Sequence, residues 1–515
     1  MNDFGLIPDP VQVLSRPGYF LLGSTTCIVH EDEHHDVAVL LQETLQHAIG
    51  IRVPIIRDFA KGENVILLRS RQGDDHLGAE AYVLEVRPDS IQLRAGDRRG
   101  CFYGVQTLLQ LMPPEVFQSD ALTLPLGIPC VEIDDYPRFS WRGMMLDVSR
   151  HFFPIEFLYK FVDLLAMHKM NIFHLHLTDD QGWRVEIDQY PRLTSIGAWR
   201  NETLTGHLRD RPHAFDDLRH GGYYTQSQLE AFVRYAQKRN VTIVPEIDMP
   251  GHTQAMIAAY AELGITRGRV NVWSRWGVSQ HLLNIEEDTF VFAQNVIDEV
   301  LALFPGPTIH LGGDEVDSKL WASNSDIESR MAHLDLQSVG DVQPYFLARM
   351  TEYIEKKGRR VIGWDEIFAG GVSDDTIVMS WRGVDGGVKA AGAGNDVVFT
   401  PRLWTYFDSY QSEDTNEEPL AIGGTITLEK AYEYEPIPPG MSDEIVDHIL
   451  GSQGQLWTEY MPNTEHVEYM AFPRTTALSE VLWSPLAKRN FVEFSRRLVP
   501  HLRRLDRFGV RYRVP

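Results

Sequence analysis

The stretch Thr308–Trp321, "TIHLGGDEVDSKLW", decides how the chain is read. A short apolar run ends in two glycines, and Asp314 and Glu315 then stand side by side. A run of this length, rich in β-branched residues, reads as a buried strand. Two adjacent carboxyls at its tip are costly, because like charges repel and an unpaired buried charge is strongly unfavourable. Such an arrangement is kept mostly where the charges are used.

The same pattern, an apolar run followed by a polar tip and a helix-like segment, recurs from Trp141 onward. Eight runs carry it: "WRGMMLDVSR" (141–150), "MNIFHLHLTDD" (170–180), "VTIVPEIDMPGH" (241–252), "PTIHLGGDE" (307–315), "RVIGWDE" (360–366), "TIVMSWRG" (376–383), "DVVFTPRLWTYFD" (396–408) and "GQLWTEY" (454–460). Between them lie amphipathic stretches such as "PIEFLYKFVDLLAMHKM" and "FVFAQNVIDEVLALF". Strands alternating with helices make parallel βαβ units, and eight units predict a (β/α)8 TIM barrel. An open doubly wound sheet is the alternative. It usually carries a Gly-rich phosphate loop, and the one candidate, "GGVKAAGAGND" (386–396), lacks the strand–turn–helix order and reads as a helix end and turn.

Residues 1–137 differ. "AYVLEVRPDSIQLRAGD" (81–97) reads as a hairpin about a Pro-Asp-Ser turn, and "HDVAVLLQETLQHAIG" and "RGCFYGVQTLLQLMP" read as helices. The expected organisation is an α+β domain over 1–137, a link "IPCVEIDDYPRF", and a catalytic barrel over 138–515. The acidic segment 409–419 reads as a solvated loop.

The net charge of −24, from 72 acidic against 48 basic residues, argues against a nucleic acid or an anionic membrane as partner. Cys27, Cys101 and Cys130 include no CxxC and make no disulfide framework. The N-terminal residues lack a basic region followed by an apolar one, so no signal peptide is read and a cytoplasmic location is expected. No run approaches the ~18 apolar residues of a membrane span.

In a barrel all eight polar tips meet on one rim, where active sites form. Those tips combine carboxylates with tryptophans. Aromatic faces stack on the apolar face of a pyranose, and carboxylates accept hydrogen bonds from its hydroxyls. Paired carboxyls suit glycoside hydrolysis, which needs one protonated carboxyl for the leaving oxygen and negative charge near an oxocarbenium-like centre. No cofactor or metal is expected. His174 and His176 are spaced as zinc ligands can be, but they precede the strand tip and read as inward barrel packing. A GxSxG nucleophile motif is absent, which disfavours a serine esterase.

"HLGGDEV" (310–316), "HLTDDQGWRVEI" (176–187), "EIDMPGHT" (246–253), "GWDEI" (363–367) and "LWTEY" (456–460) resemble the signature segments of family 20 glycoside hydrolases, the β-N-acetylhexosaminidases. The resemblance covers almost the whole chain, in family order, and residues 1–137 resemble that family's accessory domain. It implies an exo-acting, retaining enzyme that releases terminal GlcNAc or GalNAc from an oligosaccharide or glycoconjugate. The nucleophile would be the substrate's own 2-acetamido oxygen, giving an oxazolinium intermediate.

By the same resemblance Glu315 is the general acid/base, and Asp314 orients the acetamido group and balances its developing charge. Tyr406 donates to the acetamido oxygen, and Trp364, Trp381 and Trp457 wall the N-acetyl pocket. Arg142, Asp408 and Glu459 bind sugar hydroxyls, while His252 and Asp179 form a relay that tunes Glu315. Strand parity makes Asp180 a rival to Asp179. Several members of the family carry a further Trp after the Tyr-x-Asp motif; here "PLAIGG" stands in its place, which bears on the leaving-group sugar. A lacto-N-biosidase-type enzyme releasing a disaccharide and a non-catalytic sugar-binding protein are the alternatives.

Overall fold

The computed structural model describes residues 4–57, 64–70, 78–118 and 122–515. The eight apolar runs each form a strand: β1 (Trp141–Asp147), β2 (Ile172–His176), β3 (Thr242–Glu246), β4 (Thr308–His310), β5 (Arg360–Trp364), β6 (Ile377–Ser380), β7 (Val397–Phe399) and β8 (Ile449–Leu456). They close into one barrel in chain order, with β8 returning to β1. Every neighbouring pair is parallel, so all eight C-terminal ends lie on one rim. The barrel of the sequence reading is the one observed.

The helices are where the 3.6-residue periodicity places them, for example Ile155–Met167 after β1 and Glu287–Leu303 after β3. The connection from β5 to β6 differs: it holds only a one-turn 3₁₀ stretch, Ile367–Gly370. β8 also begins five residues before the run read from sequence. Its start, "ILGSQGQL", is rich in Gly, Ser and Gln because it packs tightly on β1. A Cβ on Gly451 would lie 2.0 Å from the Trp141 carbonyl oxygen, and one on Gly454 would lie 2.6 Å from Met144 Sδ.

The N-terminal region forms a seven-stranded mixed sheet. The expected hairpin is Tyr82–Val86 paired antiparallel with Ser90–Ala95. The expected helices are His35–Ile49, stopped by left-handed Gly50, and Arg98–Gln110, capped by Asp97. The presumed link is mostly structure. Leu126–Asp135 is a strand of this sheet, sandwiched between Gln12–Leu22 and Tyr82–Val86. Its side chains alternate in burial, a period-2 signal that its proline and acidic residues obscured.

This domain closes the bottom of the barrel through buried polar contacts. Lys169 Nζ lies 2.7 Å from Asp135 Oδ2, and the Trp483 indole N–H donates to Asp135 Oδ1 at 2.9 Å. Arg142 belongs to the same seam. Both its terminal nitrogens reach the Glu80 carboxylate, at 2.9 and 3.0 Å, and it also donates to the Phe139 and Lys169 carbonyls. Arg142 is the second residue of β1, at the end away from the rim. Its expected contact with sugar hydroxyls therefore does not hold. Among the described residues no helix is long and apolar enough to cross a membrane.

Candidate functional site

The Gly-Gly pair answers how two consecutive carboxyls can share one pocket. On a regular strand they would point to opposite faces. Here β4 ends at His310, and Gly312 (φ +65°) and Gly313 (φ +88°) turn the chain in the left-handed region. Only glycine fits at 312: a Cβ there would lie 1.8 Å from Asp248 Oδ1. Asp248 holds the turn by accepting from the Gly313 amide at 3.0 Å. Glu315 is itself left-handed, φ +51°, a conformation that costs a non-glycine residue about 1–3 kcal/mol and clusters at functional sites.

The turn gives the two carboxyls unequal settings. The Asp314 side chain is 13% exposed and the Glu315 side chain 42%, so Asp314 lies deep and Glu315 stands at the mouth. His252 Nε2 sits between them, 3.7 Å from Asp314 Oδ2 and 3.5 Å from Glu315 Oε2. On its other side His252 Nδ1 is 3.1 Å from Asp179 Oδ1. Burial opposes a charge on His252, but Asp179 and Asp314 outweigh it and hold its pKa well above the ordinary value. The nearby imidazolium keeps the Glu315 carboxyl below its usual range.

Asp314 is raised by burial and by the nearby Glu315 and Glu246, against the pull of His252. Asp248 is raised further, by burial and then by Asp314.

Asp179 rather than Asp180 is the partner of His252. A tight turn pairing Thr178–Asp179 with Gly182–Trp183 breaks the strand parity that favoured Asp180. Asp180 instead accepts the backbone amides of Gln254 (3.0 Å) and Ser279 (3.1 Å), holding two loops. Its approach to His252 Nδ1 is longer, 3.4 Å.

The pocket is a cavity of about 260 Å³. Asp314, Glu315, Trp381, Tyr406, Asp408, Trp457 and Glu459 line it, as the sequence suggested. The rings of Trp381 and Tyr406 are 6.1 Å apart, and those of Tyr406 and Trp457 6.4 Å. Trp364 lies one layer below. It is fully buried, its ring centre 5.9 Å from that of Trp457, and its indole N–H donates to Glu246 at 2.9 Å. It backs the pocket wall without lining it.

Opposite the aromatic side, burial and the neighbouring Glu459 push Asp408 up to about 8, and burial raises Glu459 as well. Asp408 Oδ1 has no donor among the described residues. A buried carboxyl short of a donor, beside half-buried Glu459, suits the hydroxyls of a sugar.

Sequence reasoning missed three parts of this site. Arg150, not Arg142, is the arginine of the first run that lines the pocket. It follows β1 at the rim, reaches Asp147 at 3.1 Å and Asp179 at 2.8 Å, and lies 5.0 Å from the Trp457 ring centre. Its place in "LDVSR", after the strand rather than at its start, was the available signal. Glu366 accepts the Trp381 indole N–H at 2.9 Å and is pushed up to about 7 by burial and Asp314. The outer rim, built by His207, Leu208, Arg209, Trp276 and Val278 beside Tyr460 of the eighth run, comes mostly from loops that carry no strand signal. Ile422, of "PLAIGG", lines the pocket in the region where a tryptophan was missed.

Four groups bring ligating atoms within 4.8 Å of one another: His174, Glu246 and His310; Asp179, Asp248 and His252; His252, Asp314 and Glu315; and Glu31, Glu33 and His34 on the N-terminal domain. The middle two share His252, which as an imidazolium has no lone pair for a metal. In the first group His174 Nδ1 accepts from Gln453 and His310 Nδ1 accepts from the Gly312 amide, each at 2.9 Å. The proton of a neutral ring is then on Nε2, and His174 Nε2 points at Glu246, 3.0 Å away. Protein hydrogen bonds thus occupy Nδ1 of both histidines.

Residues 139–486 match the profile of glycosyl hydrolase family 20, catalytic domain, and residues 3–136 match glycosyl hydrolase family 20, domain 2. A beta-hexosaminidase of Porphyromonas gingivalis is 40% identical over 99% of this chain, which spans 64% of that relative's length. A beta-N-acetylhexosaminidase of Cellulomonas fimi is 31% identical, over 99% of this chain and 96% of its own. Among solved structures, the GH20 exo beta-N-acetylglucosaminidase of Vibrio harveyi, in complex with N-acetylglucosamine, is similar with a TM-score of 0.86 at 33% identity, over 99% of this chain and 78% of that one. On this evidence the chain belongs to glycosyl hydrolase family 20.

Proposed function

We propose that the protein is an exo-acting, retaining β-N-acetylhexosaminidase that uses the substrate's acetamido group as nucleophile. The observation that carries this reading is the chemistry around Asp314. Trp381, Tyr406 and Trp457 form an aromatic slot, and Tyr406, kept protonated by burial and by Asp408 and Asp314, supplies an O–H donor near the Asp314 acceptor. An acetamide offers the complement: a carbonyl oxygen to accept, an N–H to donate and a methyl group for the aromatic faces. The relatives' names, beta-hexosaminidase and beta-N-acetylhexosaminidase, support the same reading.

In the first step Glu315 protonates the glycosidic oxygen as its bond to C1 breaks. The acetamido oxygen bonds to C1, and the positive charge of the resulting oxazolinium is balanced by Asp314. In the second step the Glu315 carboxylate takes a proton from water, the water oxygen bonds to C1, and the ring opens. Configuration is retained after two inversions.

In the empty pocket Glu315 faces an imidazolium and is ionised. A sugar covering the mouth removes water from that charged pair. Desolvation favours the neutral form, in which the proton moves from His252 Nε2 to Glu315. His252 then keeps Nδ1–H on Asp179. Asp408 and Glu459, with Arg150, hold the ring hydroxyls. A cavity of about 260 Å³ is below the ~300–1,000 Å³ of drug-sized ligand sites, which favours a single sugar over a disaccharide.

The test compares aryl β-N-acetylglucosaminide with aryl β-glucoside and measures inhibition by an oxazoline-like thiazoline. Hydrolysis of the acetamido substrate should exceed that of the glucoside by orders of magnitude, and the thiazoline should bind far more tightly than free sugar. Comparable rates on the two substrates would refute substrate assistance.

A further inference from the structure

Glu246, at the end of β3, is fully buried in the barrel below the pocket and is not placed to touch a sugar. Yet donors from two other strands converge on its carboxylate. Its Oε1 accepts the Trp364 indole N–H at 2.9 Å. Its Oε2 lies 2.5 Å from His176 Nδ1 and 3.0 Å from His174 Nε2. The other nitrogen of His176, Nε2, is 2.9 Å from Asp179 Oδ2. Asp179 reaches His252, and His252 reaches Glu315.

His176 is thus held between two carboxylates, one on each ring nitrogen. A neutral imidazole carries one N–H and can donate to only one of them; both bonds require the imidazolium. His252 likewise lies between two carboxylates, with Asp179 3.1 Å from Nδ1 and Glu315 3.5 Å from Nε2. The groups alternate in sign along an unbroken line.

We propose that Glu246 is a positioning residue for the general acid, acting through the line Glu246–His176–Asp179–His252–Glu315. Its charge keeps His176, the next member of the line, protonated. That cation, with Arg150, keeps Asp179 ionised and oriented, and Asp179 fixes the imidazole from which Glu315 draws its proton. Burial pushes His174 down to about 4, so it faces Glu246 as a neutral ring, whereas Glu246 and Asp179 outweigh burial at His176 and hold it well above its ordinary value. The groups facing His176 are Glu246 and Asp179 on its nitrogens and Trp457 against its ring, 4.9 Å between centres. Those facing His252 are Asp179, Asp180, Asp248, Asp314 and Glu315.

The inference rests on Glu315 being the general acid, and the test separates the two. Histidine-selective ¹⁵N labelling of the intact chain reads the state of His176 directly. Both ring nitrogens should be protonated at pH 7 in the wild type, and Glu246→Gln should bring the titration of His176 down into the range followed by NMR. On activity, Glu246→Gln should lose about tenfold with poor leaving groups, a fraction of the ~10²–10⁴ supplied by a general acid, and much less with dinitrophenyl substrates. Because Glu246 acts through Asp179, the double variant with Asp179→Asn should be no worse than Asp179→Asn alone.

A neutral His176 in the wild type at pH 7 overturns the proposal, even if Glu246→Gln fails to fold. So does a loss that is equal for all leaving groups and additive with Asp179→Asn. His176→Gln cuts the line one link further along and should show the same leaving-group dependence. If instead Glu315→Gln itself shows no leaving-group dependence, the assignment of the general acid fails, whatever the spectrum of His176.

Discussion

Replacing Asp314 with Asn tests the division of labour between the two neighbours. The change keeps the shape and removes the charge. Two unit charges about 4 Å apart, at the effective dielectric of ~20 that suits protein sites, interact by about 4 kcal/mol. Asp314 is buried to 13% exposure, so solvent screens it little, while the Asn carbonyl retains part of the interaction as a hydrogen-bond acceptor. The expected loss is about 3–4 kcal/mol in the transition state, or ~10²–10³ in kcat. KM should change less, because the neutral substrate needs that charge less than the oxazolinium does.

The assay is a series of aryl N-acetylglucosaminides of graded leaving-group acidity, run on Asp314→Asn and Glu315→Gln side by side. The Asp314→Asn loss should persist with the best leaving groups, since ring closure creates the cation whatever departs. The Glu315→Gln loss should shrink. A pH arm follows from the upward shift of Asp314. Its carboxylate form is the active one, so wild-type kcat should fall as pH drops through a value above the ordinary aspartate pKa of about 3.9. In Asp314→Asn that acid limb should be gone. Recovery of Asp314→Asn on activated substrates, with Glu315→Gln remaining impaired, would refute the roles given to the two residues.

Arg142→Met should leave KM for the sugar unchanged and destabilise the fold by about 3 kcal/mol, read by denaturant unfolding, because it strands Glu80 in the domain seam. Arg150→Met, by contrast, should raise KM. Gly312→Ala should abolish activity, since its Cβ would strike Asp248 at 1.8 Å and the turn that aims both carboxyls would be lost; full activity would refute the account of the turn. Asp408, pushed up to about 8, is largely protonated at pH 7 in the empty pocket. A sugar hydroxyl that donates to it favours the carboxylate, so binding should release protons at pH 7 and tighten as pH rises toward 8. Titration calorimetry in buffers of different ionisation enthalpy measures this, and Asp408→Asn should abolish the proton release.

What the sequence determined by itself is periodic or local. Eight apolar runs spaced by amphipathic segments are enough for a parallel barrel, because strands buried on both faces and helices buried on one leave distinct patterns. Residues at the tips of those runs, Asp314, Glu315, Tyr406, Asp408, Trp457 and Glu459, could be placed on one rim by connectivity alone. Only tertiary structure decided what depends on where a strand begins and on which partner reaches across. Arg142 and Arg150 are both arginines of the first run, but one faces the domain seam and the other the pocket, since strand direction puts them at opposite ends. Asp179 and Asp180 were separable only once the turn after β2 was known, and the Gln254 and Ser279 amides then claimed the second of them. Leu126–Asp135 and the start of β8 were obscured because their pairing partners lie far off in sequence. In β8 the close approach to β1 selected Gly and polar residues over the apolar signature of a strand. Glu246 opens the "EIDMPGHT" segment, but nothing in the sequence showed its role: a glutamate inside a barrel strand reads as an exception until the donors of Trp364 and His176 are seen to converge on it from two other strands.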